Sequence, residues 1–121
     1  IEIEITVKAN RSKECRINCT IFNIEGLPIG SNTSMDTFGI SEGETKTLSY
    51  TIQNPRLSLG TYSISFSIGS GDASKGETNY DVVSQIVQFE IDKIAKDTNL
   101  YYAKWDRGWG NIFFSTKTVE K

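Results

Sequence analysis

Two cysteines, fifteen carboxylates and no histidine set the chemistry open to this chain of 121 residues. Without histidine, a Ser-His-Asp or Cys-His catalytic site is excluded within these residues, and no sensible zinc set remains. Cys15 and Cys19 share the run Cys-Arg-Ile-Asn-Cys-Thr-Ile-Phe, which reads as one strand. Four residues along a strand span about 13 Å, roughly twice the reach of a disulfide. Both thiols are therefore expected to be free and on one strand face, which favours a reducing compartment. Glycoside hydrolysis needs an acid and a second carboxylate at a set separation, but the acids here are scattered mostly over strand faces. Asp72 and Asn79 offer no EF-hand-like spacing for calcium. Gly69-Ser-Gly-Asp-Ala-Ser-Lys-Gly76 lacks the Lys-[Ser/Thr] ending of a phosphate-binding P-loop. No metal and no cofactor is expected in this domain.

What remains is recognition. Two clusters combine flat aromatic faces with planar polar side chains, which offer paired donors and acceptors in a fixed geometry, and a polar strand face is a third candidate. The densest is Tyr101, Tyr102, Trp105, Asp106, Arg107 and Trp109. The second is Asn79, Tyr80 and Asp81 at the end of a loop that carries Asp72 and Lys75. The third is Asn32, Ser34 and Asp36, on one face of a polar strand. Each has a plain structural reading beside the functional one. The tryptophans can plug an open sandwich end or a dimer contact, Asp81 can form an Asx turn, and three polar residues on a strand can simply be solvated. Interfaces with proteins also favour Trp, Tyr and Arg, so such a patch alone does not separate sugar from protein.

The elements that must position these residues are strands. Ile1, Ile3, Ile5 and Val7 alternate with Glu2, Glu4, Thr6 and Lys8, the period of a half-buried strand. Ile17, Cys19 and Ile21, with Asn23 as a further candidate, line one face of the next. Ile29 to Thr37 gives a polar strand. Thr45 to Gln53 sets Leu48, Tyr50 and Ile52 against threonines and serine, until Asn54-Pro55-Arg56 breaks it. Tyr62, Ile64, Phe66 and Ile68 alternate with serines from Thr61 to Gly69, and place Tyr62, Ile64 and Phe66 in the core. A strand is expected over Ile86–Asp92. Val82 to Phe89 also fit a helical repeat loosely, which leaves one turn of helix open before that strand. Residues 93–110 read as a connecting segment and 111–119 as a final strand. Seven or eight short strands with frequent turns predict one all-β domain over 1–121, an immunoglobulin-like antiparallel β-sandwich.

Composition narrows the partners. A net charge of −2 and a pI near 5.1 argue against a general nucleic-acid binder. No apolar run reaches the roughly 18 to 20 residues of a membrane span. The chain begins without Met and in mid-strand, so a piece of a longer protein is expected. Three sequons, at Asn10, Asn18 and Asn32, would suit a secreted module, yet Asn/Ser/Thr-rich sequences generate such triplets by chance.

The order of several landmarks resembles a known family. Glu25-Gly26, Asn32-Thr33 and Gly43-Glu44 are followed by the block Leu57-Ser-Leu-Gly60-Thr-Tyr62-Ser-Ile-Ser. Tyr80-Asp81 then precedes Phe89-Glu90-Ile91, with Ile91 where the family has Val, and Trp105 and Gly108-Trp109-Gly110 close the series. Together these are similar to the C-terminal domain of Wzt-type ABC-transporter ATPase subunits. The resemblance implies a non-catalytic, cytoplasmic domain at the inner face of the bacterial inner membrane, attached to an upstream nucleotide-binding domain. It implies binding of the O-polysaccharide to be exported, commonly at its non-reducing end. It also implies a homodimer in which the C-terminal strand, here within 111–119, crosses to the partner, and contact with a membrane-spanning transporter subunit. Asn32, Ser34, Asp36, Asn79, Tyr80, Asp81, Tyr102, Arg107 and Trp109 are the candidate carbohydrate-binding residues. A protein–protein interaction module or a secreted adhesion-type sandwich is the alternative.

Overall fold

The structure, a computed structural model, describes residues 1–33, 36–53, 55–72, 76–92, 105–114 and 116–121, and the backbone alone at 33, 71–72, 76–79 and 82–85. The described strands are β1 (Glu2–Lys8), β2 (Lys13–Asn23), β3 (Pro28–Thr33), β4 (Phe38–Ile40), β5 (Thr45–Thr51), β6 (Gly60–Asp72) and β7 (Gly76–Ile91). Among the described residues a 3-10 turn, Arg107–Trp109, follows. β1 and β5 form a two-stranded antiparallel sheet, with Ile3 opposite Tyr50 and Ile5 opposite Leu48. The other sheet runs β3-β2-β6-β7, all antiparallel, and β4 pairs with the first part of β2. The chain is an all-β antiparallel sandwich.

Alternation explains how the sheets meet. One face of β2 buries Cys15, Ile17, Cys19 and Ile21, and β6 buries Tyr62 and Ile64. Ile3, Tyr50 and Ile52 from the two-stranded side pack on this cluster, together with Phe66, Phe89 and Ile91. A second, smaller cluster of Ala9, Cys15 and Ile40 fills the other end. Both thiols are free, as their spacing predicts. Tyr62 anchors the corner before β6: only 1% exposed, it donates its phenol proton to Ser58 O at 2.8 Å. A tyrosine near a strand start that bonds backbone a few residues upstream is the device immunoglobulin-type sandwiches use at this kind of corner.

The turns are set by local chemistry. Asn23 Oδ1 accepts from the amides of Glu25 and Leu27, both at 3.0 Å, closing the β2–β3 hairpin, where Gly26 takes φ 79°. This turn role, and not a place in the core stripe, is what Asn23 performs. Before β5, Glu44 N donates to Ser41 O at 2.9 Å across a turn whose third residue is Gly43 at φ 76°, the position a type II turn reserves for glycine.

Three expectations are corrected. The polar strand anticipated over 29–37 ends at Thr33, and Phe38–Ile40 pairs separately with β2. The Gly-rich stretch is no long loop: β6 and β7 stay paired out to Asp72 opposite Gly76. Backbone pairing needs no apolar side chain, so glycines and serines extend the hairpin without leaving a periodic signal. The same ladder makes 76–91 strand throughout, with no helical turn. At the other end, Ile112 forms one antiparallel bridge with Leu57, and Phe113 N donates to Arg56 O at 3.1 Å. The described residues beyond these pair with no strand of the same chain.

Candidate functional site

The fold distributes the candidate residues over three clefts. Asn32, at the end of β3, and Asp36 line a groove of about 380 Å³ between the two sheets, whose far wall is β5 with Ser49 and Tyr50, and Gln53 just beyond. Tyr50 is the residue that sequence reasoning passed over. It alternates with Leu48 and Ile52 and so reads as core, but a half-buried tyrosine needs a partner for its hydroxyl. Asn32 Nδ2 donates to Tyr50 Oη at 2.9 Å, and the ring meets Phe66 edge-on at 5.7 Å. Burial pushes the phenol up to about 12; a hydrogen bond with the Cys19 thiol adds to this and the Asn32 amide opposes it. Tyr50 thus enters the groove as a neutral hydroxyl beside an amide and a carboxylate, which together present donors and acceptors to vicinal hydroxyls.

Tyr80 and Asp81 lie elsewhere. They occupy β7 itself, not a loop end, at an irregularity where Gly69 faces Asn79 and Ile68 faces Asp81, so that Tyr80 is the extra residue. Such bulges re-aim a side chain out of the ladder. Tyr80 Oη donates to Ser70 Oγ at 2.8 Å, and Lys13 Nζ lies 4.2 Å above the ring centroid. With Lys8, Asn10 and Lys13 these residues line a cleft of about 320 Å³.

The third cleft, about 380 Å³, lies under the tail, among Asn23, Glu25, Thr61, Trp105, Arg107 and Asn111. Asp106 caps the 3-10 turn by accepting from Gly108 N at 2.7 Å, and Trp105 Nε1 donates to Gly110 O at 2.7 Å. The indole N–H is therefore committed to holding the tail. Arg107 stands 3.8 Å from Glu25 with both side chains well exposed. Trp109 packs edge-on against Trp105 at 5.5 Å but remains 61% exposed. Ser34 and Tyr102 fall outside the described residues, as does the side chain of Asn79. Asn32 and Asp36 are brought together; Tyr80 with Asp81, and Arg107 with Trp109, form separate groups.

Among the described residues no cluster of His, Cys, Asp and Glu is arranged to hold a metal ion. None of their helices is long and apolar enough to cross a membrane. A model of the Wzt C-terminal domain matches residues 1–101. The chain belongs to this family. It is a C-terminal domain of Wzt-type ABC transporters, a family of non-catalytic domains. No curated protein matches the chain, so the family model carries the assignment. Within the Wzt C-terminal domain, the Asn32–Tyr50 groove and the Tyr80 cleft lie in the matched residues, whereas Arg107 and Trp109 lie beyond them.

Proposed function

We propose that this domain is a non-catalytic carbohydrate-binding module that recognises the O-polysaccharide to be exported by an ABC transporter, at its non-reducing end. The observation that carries the reading is the convergence of Asn32, Asp36 and a neutral Tyr50 in one wet groove between the sheets, inside the residues that define the family. A sugar ring offers adjacent hydroxyls that a carboxylate and an amide can bind as pairs, and the aromatic edge of Tyr50 borders them. The domain would work at the cytoplasmic face of the bacterial inner membrane, beside a membrane-spanning transporter subunit. Pairing of two copies through the segment 111–119 would raise avidity for a repeating polymer.

Binding to an array of bacterial polysaccharides, followed by calorimetry, tests the reading. Asp36→Ala and Asn32→Ala should each weaken binding about tenfold, the worth of one hydrogen bond to a polar ligand with its partner left behind. Failure to bind any bacterial polysaccharide, with Trp109→Ala altering dimerisation alone, would instead favour a protein-interaction module. One observation supports that second reading: Trp109, Ile24 and Leu27 are 61%, 69% and 57% exposed, and the Glu25–Arg107 pair joins the hairpin of the last two to the turn of the first. Exposed tryptophan near arginine is a common protein-contact composition.

A further inference from the structure

The cleft around Tyr80 is built differently from the Asn32 groove. Its floor is apolar, formed by Ala9, Cys15, Ile40 and Ile68, the first three being core residues under 6% exposed. Its rim carries two ammonium groups, Lys8 and Lys13, against one carboxylate, Asp81. This local excess of positive charge stands on a chain whose formal net charge is −2. None of the three enters an ion pair with a described residue. Lys13 is nevertheless held, because its ammonium sits 4.2 Å over the Tyr80 ring while Tyr80 Oη is tied to Ser70 Oγ at 2.8 Å. The bulge at Gly69–Asn79 is what throws Tyr80 outward to meet it. A cation fixed over an aromatic face loses little side-chain freedom when a ligand arrives. An apolar floor strengthens its attraction for an anion.

We propose that the Lys8–Lys13–Tyr80 cleft is an anion subsite, taking a carboxylate or phosphate group carried on a hydroxyl-rich ligand. Lys8 and Lys13 meet the charge, Asn10 supplies an amide, and Asp81 accepts from neighbouring hydroxyls. The assignment of this ligand to a glycan rests on the carbohydrate reading given above. It narrows that reading to polysaccharides with an acidic substituent.

A nitrogen-15 NMR titration of the chain with sodium glucuronate, glycerol 3-phosphate and glucose tests it. Either acid should shift the amides of Lys8, Lys13 and Tyr80, while glucose leaves them unmoved. Glucuronate alone would assign a carboxylate, and glycerol phosphate alone a phosphate. The double variant Lys8→Gln/Lys13→Gln, with its circular dichroism unchanged, should weaken the response about tenfold; Asp36→Ala should not alter it. No shift with either acid, an equal shift with glucose, or full binding in the folded double variant would overturn the subsite. If the acids bind while no bacterial polysaccharide does, the glycan assignment falls and the anion site stands.

Discussion

Tyr62→Phe removes one oxygen atom from the best-buried corner of the sandwich. The ring stays, so its stacking on Phe89, with centroids 5.5 Å apart, is retained. What is lost is the phenol's bond to Ser58 O at 2.8 Å and its contact with Ser58 Oγ at 3.0 Å. Ser58 is fully buried, and its hydroxyl has a fallback in Gly110 O at 3.4 Å, but its carbonyl then loses a buried donor. A lost hydrogen bond is worth about 1 kcal/mol, and stranding a buried acceptor raises the total to about 2 kcal/mol. With a urea slope of about 1.5 to 2 kcal/mol/M for a domain of this size, the unfolding midpoint should fall by about 1 M at unchanged slope. Ser58→Ala, which leaves the carbonyl bonded to Tyr62, should cost less than half as much. Both tryptophans sit on the tail that Ser58 N holds through Asn111 O at 2.9 Å, so indole emission and far-ultraviolet dichroism together report the corner and the sheets. A Tyr62→Phe midpoint within about 0.2 M of the parent would refute this account of the corner.

Two further predictions follow from buried groups. Tyr50 holds its proton to about pH 12 in the folded chain, against 10.0 when unperturbed. The unfolded chain therefore releases this proton first, so the Tyr50 contribution to stability should be level below pH 10 and decline between pH 10 and about 12, a decline that Tyr50→Phe removes. Tyrosinate absorbance should show a late-titrating phenol that Tyr50→Phe abolishes; ordinary titration of all five tyrosines would contradict it. Cys15 and Cys19 are 2% and 5% exposed, and burial pushes the Cys15 thiol up, so a thiol reagent should label neither in the native chain and both in urea.

Much of the scaffold is legible in the residues, for a physical reason. β1 and β5 shelter one face only, and a half-buried strand must alternate. The spacing of Cys15 and Cys19 similarly fixes their state, because strand rise is constant. The β6–β7 extension is illegible: Gly69 to Asp72 pair with Asn79 to Gly76 along the backbone ladder, and these residues carry no apolar alternation. β4 is too short, at three residues, to show a period. The candidate clefts fail to show in sequence for another reason. Asn32 meets Tyr50 across two sheets, and Lys13 meets Tyr80 from the start of β2 to the middle of β7, so both contacts depend on pairings distant along the chain. Tyr50 hides among core residues by its period, and Lys8 and Lys13 read as ordinary solvated charges. The tail residues formed a visible cluster because they are neighbours in sequence, yet the fold spends the Trp105 indole N–H on Gly110 O.

Calorimetry of the intact chain against the bacterial O-polysaccharide it retains on an array bears most directly on the central claim. The account predicts saturable binding, weakened about tenfold by Asp36→Ala or Asn32→Ala in a folded chain, and little changed by Trp109→Ala. Polysaccharide binding indifferent to Asn32 and Asp36 but abolished by Trp109→Ala would move the site to the tail and contradict it.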